Sequence, residues 1–317
     1  MILTITLNPS MDYVYYKDTF ELGGHNRVNN PTKMPGGKGI NASRTILLLN
    51  GDVLSFNLLG GDNGKLIAKY IQKESFNSTN LFIEEDSRNA ITIIHDNGKQ
   101  TEIVEKGPYV DNNVEKLIFS TIKDIIQSTE EINIVSINGT VNSDNKNFYY
   151  QLLTMFKEEI TRNLIILMDL SQHHLKNIVL DTNQYFPDFI KPNIEEFGEL
   201  VGHNFTTKKE ILHYLKNNEF KIPFIVVSCG GDGAVAKVDS TVYDVNIPKI
   251  NVVNPTGSGD ATVGGIAFGF QNNWKKEDIL KWSMACGIAN TMEKGVGVVD
   301  KETVKTIIHK IHLVPMN

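Results

Sequence analysis

Continuous apolar runs, each separated from the next by a helical pattern, are the feature that most constrains the fold of this chain. The clearest runs are Ile2–Leu7, Ile132–Ile137, Leu164–Leu170 and Phe224–Ser228. A run without polar alternation predicts a strand buried on both faces, which is typical of a parallel sheet covered by helices. Helical patterns lie at Gly39–Asn50, Val114–Gln127 and Phe148–Ile160. We therefore predict an α/β fold whose parallel central sheet is covered by helices on both faces, with right-handed crossovers.

Two segments, residues 12–34 and 89–105, differ from this pattern because polar and apolar residues alternate in them. In the second segment, Asp96-Asn97-Gly98 predicts a tight turn between two short strands. We expect both segments to form a small antiparallel sheet inserted into a single α/β domain that spans residues 1–317. Such a sheet commonly closes over a substrate as a lid. The alternative is a surface hairpin with no role in a site.

Composition excludes several classes of function. The 317 residues include 31 basic and 37 acidic ones, a net charge of −6, so we expect no nucleic acid and no membrane as a partner. Two cysteines, Cys229 and Cys286, indicate a reducing compartment, and neither has a metal-type partner at close spacing. No apolar stretch approaches membrane-spanning length, and the N-terminus is unlike a signal peptide. We expect a cytoplasmic enzyme.

The segment Asn254–Phe270, NPTGSGDATVGGIAFGF, is the strongest candidate for a catalytic site. Gly257 and Gly259 flank Ser258 before a small-residue helix, so backbone N–H groups can form a hole for an anion. Asp260 follows at once, and an acid fits there if it first accepts a proton from the attacking group. This pattern indicates phosphoryl transfer to an alcohol. The alternative is a simple helix cap with an acid in the first turn.

Three other groups of residues carry weaker signals. Asp12, in NPSMD after the first strand, lies where open α/β sheets bind ligands and suits sugar hydroxyls, or it is a turn residue. GGKGIN, with Lys38 and Asn41, is a glycine-rich helix start found in many folds. In KPNIEE, Asn193 and Glu196 face the same way in a helical turn and suit Mg²⁺, or they form a helix cap.

Together these motifs resemble the ribokinase-like carbohydrate kinases of the phosphofructokinase-B type, over residues 2 to about 299. NPTGSGD and GGKGIN resemble the two signatures of that family, and KPNIEE resembles its magnesium motif. SCGGDGA at Ser228–Ala234 is similar to its nucleotide loop, and Gly295–Gly297 to its late glycine turn. NPSMD, GGHNRV at Gly23–Val28 and Lys38 are most similar to the branch that acts on phosphorylated ketohexoses, which includes 1-phosphofructokinase and tagatose-6-phosphate kinase.

The resemblance implies a role for each matching residue. It implies Asp260 as the general base and an anion hole at Gly257, Ser258 and Gly259. The implied substrate-binding residues are Asp12, Gly37, Lys38, Asn41, Arg88, which would hold the substrate phosphate, and Thr140. The implied ATP-binding residues are Lys191, Asn193, Ser228, Gly230, Gly231, Gly233 and Asn290. Asn193 and Glu196 would hold Mg²⁺ through water, and the lids of two subunits could form a homodimer.

The implied reaction is ATP-dependent phosphorylation of a phosphorylated ketohexose, with fructose 1-phosphate as the first candidate. Tagatose-6-phosphate kinase or 6-phosphofructokinase activity is the alternative, and a sugar- or nucleotide-binding regulator is the non-enzymatic one. The chain departs from the family pattern at Asn138–Val141, where relatives often have glycine-serine-leucine-proline. It also has Thr92 where relatives commonly carry a basic residue, and Val104 in place of a polar one. These differences lie on the substrate-phosphate side.

Overall fold

The computed structural model describes residues 1–171, 173–179 and 182–316. The strands are β1 (Ile2–Thr6), β2 (Ser10–Tyr16), β3 (Thr32–Gly36), β4 (Val53–Gly60), β5 (Asn77–Ile83), β6 (Arg88–His95), β7 (Lys99–Val104), β8 (Ile134–Gly139), β9 (Ile165–Leu170), β10 (Phe189–Ile190), β11 (Phe224–Ser228), β12 (Ala234–Val238), β13 (Thr241–Asn246) and β14 (His312–Met316). The helices are α1 (Lys38–Leu48), α2 (Gly61–Ile71), α3 (Asn112–Ser128), α4 (Phe148–Glu159), α5 (His173–Ile178), α6 (Ile194–Val201), α7 (Lys208–Asn217), α8 (Ser258–Gln271), α9 (Lys276–Thr291) and α10 (Lys301–Ile308).

The main sheet has ten strands in the order β14-β13-β12-β11-β10-β9-β8-β1-β4-β5. All pairings from β11 to β5 are parallel, and only the edge formed by β12, β13 and β14 is antiparallel. The carboxyl ends of the parallel strands therefore lie along one edge of the sheet. The predicted parallel sheet is confirmed, and each strand or helix predicted above has both ends within two residues of its observed bounds.

Helices cover both faces of this sheet, as the sequence predicts. One core cluster joins the sheet to α3, α4, α6 and α7, with Ile118, Phe148, Phe197 and Ile211 fully buried. The other cluster joins the opposite face to α1, α2, α8, α9 and α10. This second cluster positions the segment that carries Asp260, because α8 lies in it.

Small residues let α8 pack closely against its two neighbours. A Cβ atom on Gly264 would lie 2.8 Å from Thr45 Cβ and 2.9 Å from the carbonyl oxygen of Ala42 in α1. On the other side, a Cβ atom on Gly265 would lie 2.8 Å from Ser283 Cα in α9. All three distances are shorter than the contacts that real Cβ atoms make, so larger side chains would force the helices apart.

The segments that alternate in the sequence form a separate four-stranded sheet in the order β3-β2-β6-β7. Its outer pairings, β2 with β3 and β6 with β7, are antiparallel, whereas the central pairing of β2 with β6 is parallel. The predicted turn joins β6 to β7, with φ values of 43° at Asp96, 63° at Asn97 and 94° at Gly98. Both segments thus meet in one sheet, and the parallel pairing of β2 with β6 joins them.

The close packing of α8 gives a stability prediction. Gly265→Val should lower the free energy of unfolding by about 1–3 kcal/mol, because the added side chain meets the α9 backbone. Ser120→Val is the matched control, since Ser120 is exposed on α3 and its hydroxyl donates only to the carbonyl oxygen of Leu117 in the same helix. Urea unfolding of both variants checks the prediction. Equal losses in the two variants would contradict it.

Candidate active site

The turn that begins α8 is built around Gly257. Its φ is 80°, and a Cβ atom there would lie 2.3 Å from Val296 Cγ1, so the position requires glycine. Gly257 is the N-cap, and Ser258, Gly259 and Asp260 form the first turn. Backbone N–H groups in a first helical turn have no acceptor within the helix and attract negative charge. The turn therefore has the geometry of an anion-binding site.

Two ammonium groups lie near this turn, and one buried carboxylate holds both. Lys191 Nζ lies 3.1 Å from the place that a Cβ atom on Gly259 would occupy, and 3.5 Å from Asp169 Oδ1. Lys38 Nζ donates to the same oxygen at 3.3 Å. Asp169, in β9, is only 1 % exposed. Burial opposes its ionisation, but the ammonium groups of Lys191 and Lys38 hold its pKa below the usual value.

Asp260 accepts a hydrogen bond from the amide nitrogen of Asn41 in α1, at 2.8 Å. Burial raises the pKa of Asp260 to about 6, while the charge of Lys38 acts in the opposite direction. At pH 7 the carboxylate is therefore mostly ionised, yet more basic than an ordinary aspartate. A group with these properties can accept a proton near neutral pH.

A second carboxylate, Asp12, lies on the small sheet beside the glycines that precede α1. A Cβ atom on Gly36 would lie 1.9 Å from Asp12 Oδ2, so glycine is required for this approach. Ser10 donates its hydroxyl to Asp12 Oδ1 at 2.6 Å, and burial raises the pKa of Asp12 to about 6. Gly37, with φ of 114°, is the N-cap of α1 and packs on Thr6 and Pro9.

Arg88 and Thr140 both contact Asn8, which follows β1. Arg88 Nε donates to the carbonyl oxygen of Asn8 at 3.1 Å, and Nη1 donates to the carbonyl oxygen of Glu105 at 3.4 Å. Asn8 Nδ2 donates to Thr140 Oγ1 at 3.5 Å. These contacts use only part of the donors of the guanidinium group, which can still bind an anion.

A cavity of about 610 Å³ joins the anion-binding turn to the loop after β11. The predicted residues that line it are Lys38, Lys191, Asn193, Glu196, Ser228, Gly230, Gly231, Gly233, Ser258, Gly259 and Asp260. Its other wall is largely apolar and includes Ile247, Pro248, Ile250, Val252 and Ile288. A cavity that combines an apolar wall with a charged end fits an aromatic base attached to phosphates.

A sequence model of the pfkB family of carbohydrate kinases matches residues 5–303. The tagatose-6-phosphate kinase of Staphylococcus epidermidis (strain ATCC 12228 / FDA PCI 1200) is 34% identical over 317 residues, which cover 99% of each chain. The chain belongs to the pfkB family of carbohydrate kinases. The expected family and the expected enzyme class, a kinase, are thereby confirmed.

Solved structures agree with this assignment at the level of the fold. A protein described as a possible 1-phosphofructokinase from Thermotoga maritima gives a TM-score of 0.87 at 22% identity, with all of each chain covered. The tetrameric inhibited form of phosphofructokinase-2 from Escherichia coli gives 0.82 at 22% identity, covering 97% of this chain and 98% of that one. In the described part of this pfkB kinase, no helix has the length and apolar character needed to cross a membrane.

Two predicted ligand residues of this kinase have their side chains engaged within the protein. Asn290 is fully buried, donates to the carbonyl oxygen of Thr256 at 3.0 Å and accepts from the N–H of Gly297 at 2.7 Å. The Asn290 side chain thus links the anion-binding turn to the late glycine turn. Asn41 is 4 % exposed, and its amide lies between Asp260 and Arg44 rather than free for a sugar.

Asn193 and Glu196 form a capping box at the start of α6. Asn193 Oδ1 accepts from the N–H of Glu196 at 2.8 Å, and Glu196 Oε2 accepts from the N–H of Asn193 at 2.9 Å. The capping alternative from the sequence is therefore present in the structure. Among the described residues, no cluster of three or more His, Cys, Asp or Glu side chains forms a metal site. Glu196 still lines the cavity, and its Oε1 takes no part in the capping box.

Sequence reasoning missed three parts of this kinase's site. The carboxylate of Asp169 could have been found, because an acid at the end of a buried apolar strand is unusual. Lys208 holds the nucleotide-side loop, since its Nζ donates to the carbonyl oxygens of Asp232 and Val245 at 2.9 and 2.8 Å. The sequence carries no signal for that contact. The apolar cavity wall comes largely from residues 247–252, an irregular segment after β13 that no motif identifies.

The raised pKa of Asp260 predicts a gain in stability when its charge is removed. The folded-state pKa is about 6 against an ordinary 3.8, so ionised Asp260 destabilises the fold above pH 6. Asp260→Asn should therefore raise the free energy of unfolding at pH 7.5, by up to about 3 kcal/mol. The gain should shrink as the pH falls from 6 to 4, where wild-type Asp260 becomes protonated in both states. Urea unfolding at pH 7.5 and pH 4.5 measures this difference, and a destabilised variant at pH 7.5 would contradict it.

Proposed function

We propose that this kinase transfers the γ-phosphoryl group of ATP to a terminal hydroxyl of a phosphorylated ketohexose. Fructose 1-phosphate, giving fructose 1,6-bisphosphate, is the first candidate substrate, and tagatose 6-phosphate is the second. The 34%-identical relative named tagatose-6-phosphate kinase favours the second candidate. The observation that carries the proposal is the single cavity in which Asp260, the first turn of α8 and two lysines meet the nucleotide-side loop.

In the proposed reaction Asp260 accepts the proton of the attacking hydroxyl, and the hydroxyl oxygen forms a bond to the γ-phosphorus as ADP leaves. The N–H groups of the turn and the ammonium groups of Lys38 and Lys191 would offset the charge of the transferring group. Support comes from the position of Gly259, whose Cα carries no side chain to separate the turn from Lys191.

Asp12 and Arg88 are the proposed contacts with the sugar phosphate. Asp12 would accept hydrogen bonds from sugar hydroxyls, and Arg88 would hold the phosphate at the far end with the donors that Asn8 and Glu105 leave free. Thr140, Gly37 and Lys38 would complete this side. The partial burial of both charged groups supports the proposal, because each has limited access to water.

Mg²⁺ is the proposed metal, held by Glu196 through water together with ATP phosphates. The fit rests on one carboxylate, and Mg²⁺ needs only one or two carboxylates when phosphates and water supply the other ligands. When bound, the ion would neutralise phosphate charge. Asn193 would act through the capping box, which orients Glu196. A Glu196→Gln variant whose Mg²⁺ dependence equals that of the wild type would exclude Glu196.

The small sheet is the proposed lid. Gln100 of β7 donates from Nε2 to Thr256 Oγ1 at 2.8 Å, so the sheet reaches the loop that precedes the anion-binding turn. Ile103 and Val104 are 57% and 52% exposed on its outer strand, which supports the proposed homodimer through this sheet. A molar mass in solution equal to that of one chain would exclude the dimer. Cytoplasmic location stays a prediction.

Asp260→Asn tests the function directly. The variant keeps the helix start but removes the basic carboxylate, so kcat should fall by ~10²–10⁴. ATP binding measured by calorimetry should change little. The wild type should turn over ATP with fructose 1-phosphate, tagatose 6-phosphate or fructose 6-phosphate, and not with the unphosphorylated sugars. Turnover confined to unphosphorylated sugars would refute the proposed substrate class, and a variant with most of its kcat would refute the role of Asp260.

Arg88→Ala should raise KM for the phosphorylated ketohexose by roughly 30- to 150-fold, because a charge-assisted contact of about 2–3 kcal/mol is lost. KM for ATP should change much less, since Arg88 lies on the sugar side. Lys116→Ala, at an exposed position of α3, is the control for removing a positive charge elsewhere on the chain. Steady-state kinetics with each substrate varied in turn measures both constants. An unchanged sugar KM would remove Arg88 from the site.

A further inference from the structure

Arg44 lies in α1 and is 5 % exposed. It contacts one of the residues assigned to the site by resemblance, Asn41. Nε and Nη2 donate to the two carboxylate oxygens of Glu74 at 2.6 and 2.7 Å. Nη2 also donates to the carbonyl oxygen of Pro35 at 2.8 Å, and Nη1 to that of Val296. The remaining contact is from Nη1 to Asn41 Oδ1, at 2.9 Å. All five N–H groups of the guanidinium are thus used.

This last contact determines the orientation of the Asn41 amide. A guanidinium group has donors and no acceptor, so only the oxygen of the amide can face Arg44. The amide nitrogen must then point to the other side, where it donates to Asp260 Oδ2 at 2.8 Å. In the reversed orientation two donors would face each other at Arg44, and two acceptors would face each other at Asp260.

Arg44 also connects the loops that surround the site. Pro35 directly precedes the glycines at 36 and 37, which contact Asp12 and cap α1. Val296 lies against Gly257 of the anion-binding turn, with its Cγ1 2.3 Å from the place of a Cβ atom there. The ion pair with Glu74, after α2, fixes the guanidinium in the plane that reaches these loops.

We infer that Arg44 is a positioning residue that acts on the proposed general base through Asn41. Arg44 fixes the amide, and the amide N–H holds the carboxylate of Asp260 in one orientation and stabilises its ionised form. This inference rests on the proposed role of Asp260 as general base. It assigns to Arg44 a part in the reaction that no contact with a substrate would reveal.

Other charged groups also act on Asp260, and the test must leave them unchanged. Lys38 and Lys191 favour its ionised form, whereas Asp169 opposes it. Arg44 itself favours ionisation of Asp12 through space. Arg44→Lys is therefore the informative variant, because it keeps the positive charge near Asp12. A lysine is a single donor group on a flexible stem and cannot bind Glu74 and Asn41 in the same fixed geometry.

The experiment is a double-mutant cycle on the pH dependence of kcat with saturating sugar phosphate and ATP. Asn41→Leu removes the hydrogen bond to Asp260, so the acid limb of the profile should move up by about one pH unit. Arg44→Lys should move it in the same direction. The double variant should move it no further than Asn41→Leu alone, because both changes act through the same amide.

Glu74→Gln is the matched control for loss of stability. It weakens the ion pair but keeps an acceptor for Arg44, so it should lower the melting temperature and leave the acid limb in place. An acid limb that stays at the wild-type position in both Asn41→Leu and Arg44→Lys would overturn the inference. Additive shifts in the double variant would also overturn it. Failure of the proposed role of Asp260 would give a different result, because the Asp260→Asn variant would then retain most of its kcat.

Discussion

The ion pairs of Asp169 with Lys38 and Lys191 are the interaction on which the site depends. The ammonium groups of Lys38 and Lys191 both contact Asp169 Oδ1, and without this carboxylate they would repel each other. The shared carboxylate therefore keeps both lysines close to the anion-binding turn. Removing one partner from a buried set of charges typically costs about 3–5 kcal/mol, because the remaining charges are left uncompensated. The carboxylate lies almost without exposure at the end of β9, so the register of that strand fixes where both lysines lie.

The parallel sheet explains why motifs far apart in the chain meet. Thr140 follows β8, Lys191 follows β10 and Ser228 ends β11, and the carboxyl ends of these parallel strands lie on one edge of the sheet. Asp12 lies in β2, which the chain enters after it leaves β1 at the same edge. The sequence predicts this meeting, because continuous apolar runs indicate parallel strands and parallel strands bring their ends together. The sequence also predicts the tight turns at the glycine motifs, and the observed φ values at Gly37 and Gly257 are ones that larger residues rarely adopt.

Contacts between side chains of distant segments could not be predicted from the sequence, because each depends on strand register or on helix packing. The contact of Arg44 with Val296 joins residues 252 positions apart, and no motif marks either of them as partners. The antiparallel edge strands β12 to β14 were also missed, since short strands with one wetter face carry a weak pattern. The resemblance implies ATP binding for Asn290, and its two hydrogen bonds to the backbone of Thr256 and Gly297 are contacts that no motif indicates.

The site combines groups that destabilise the fold with a scaffold that tolerates them. Burial raises the pKa of Asp12 and of Asp260 to about 6, so both carboxylates are held at neutral pH in an environment that disfavours their charge. A proton acceptor needs this basicity, and a fully compensated carboxylate would lose it. The single hydrogen bond from Asn41 to Asp260 balances two requirements, an ionised carboxylate and a basic one. It keeps Asp260 ionised and oriented at pH 7, whereas a direct contact with Arg44 would lower the basicity that the reaction requires.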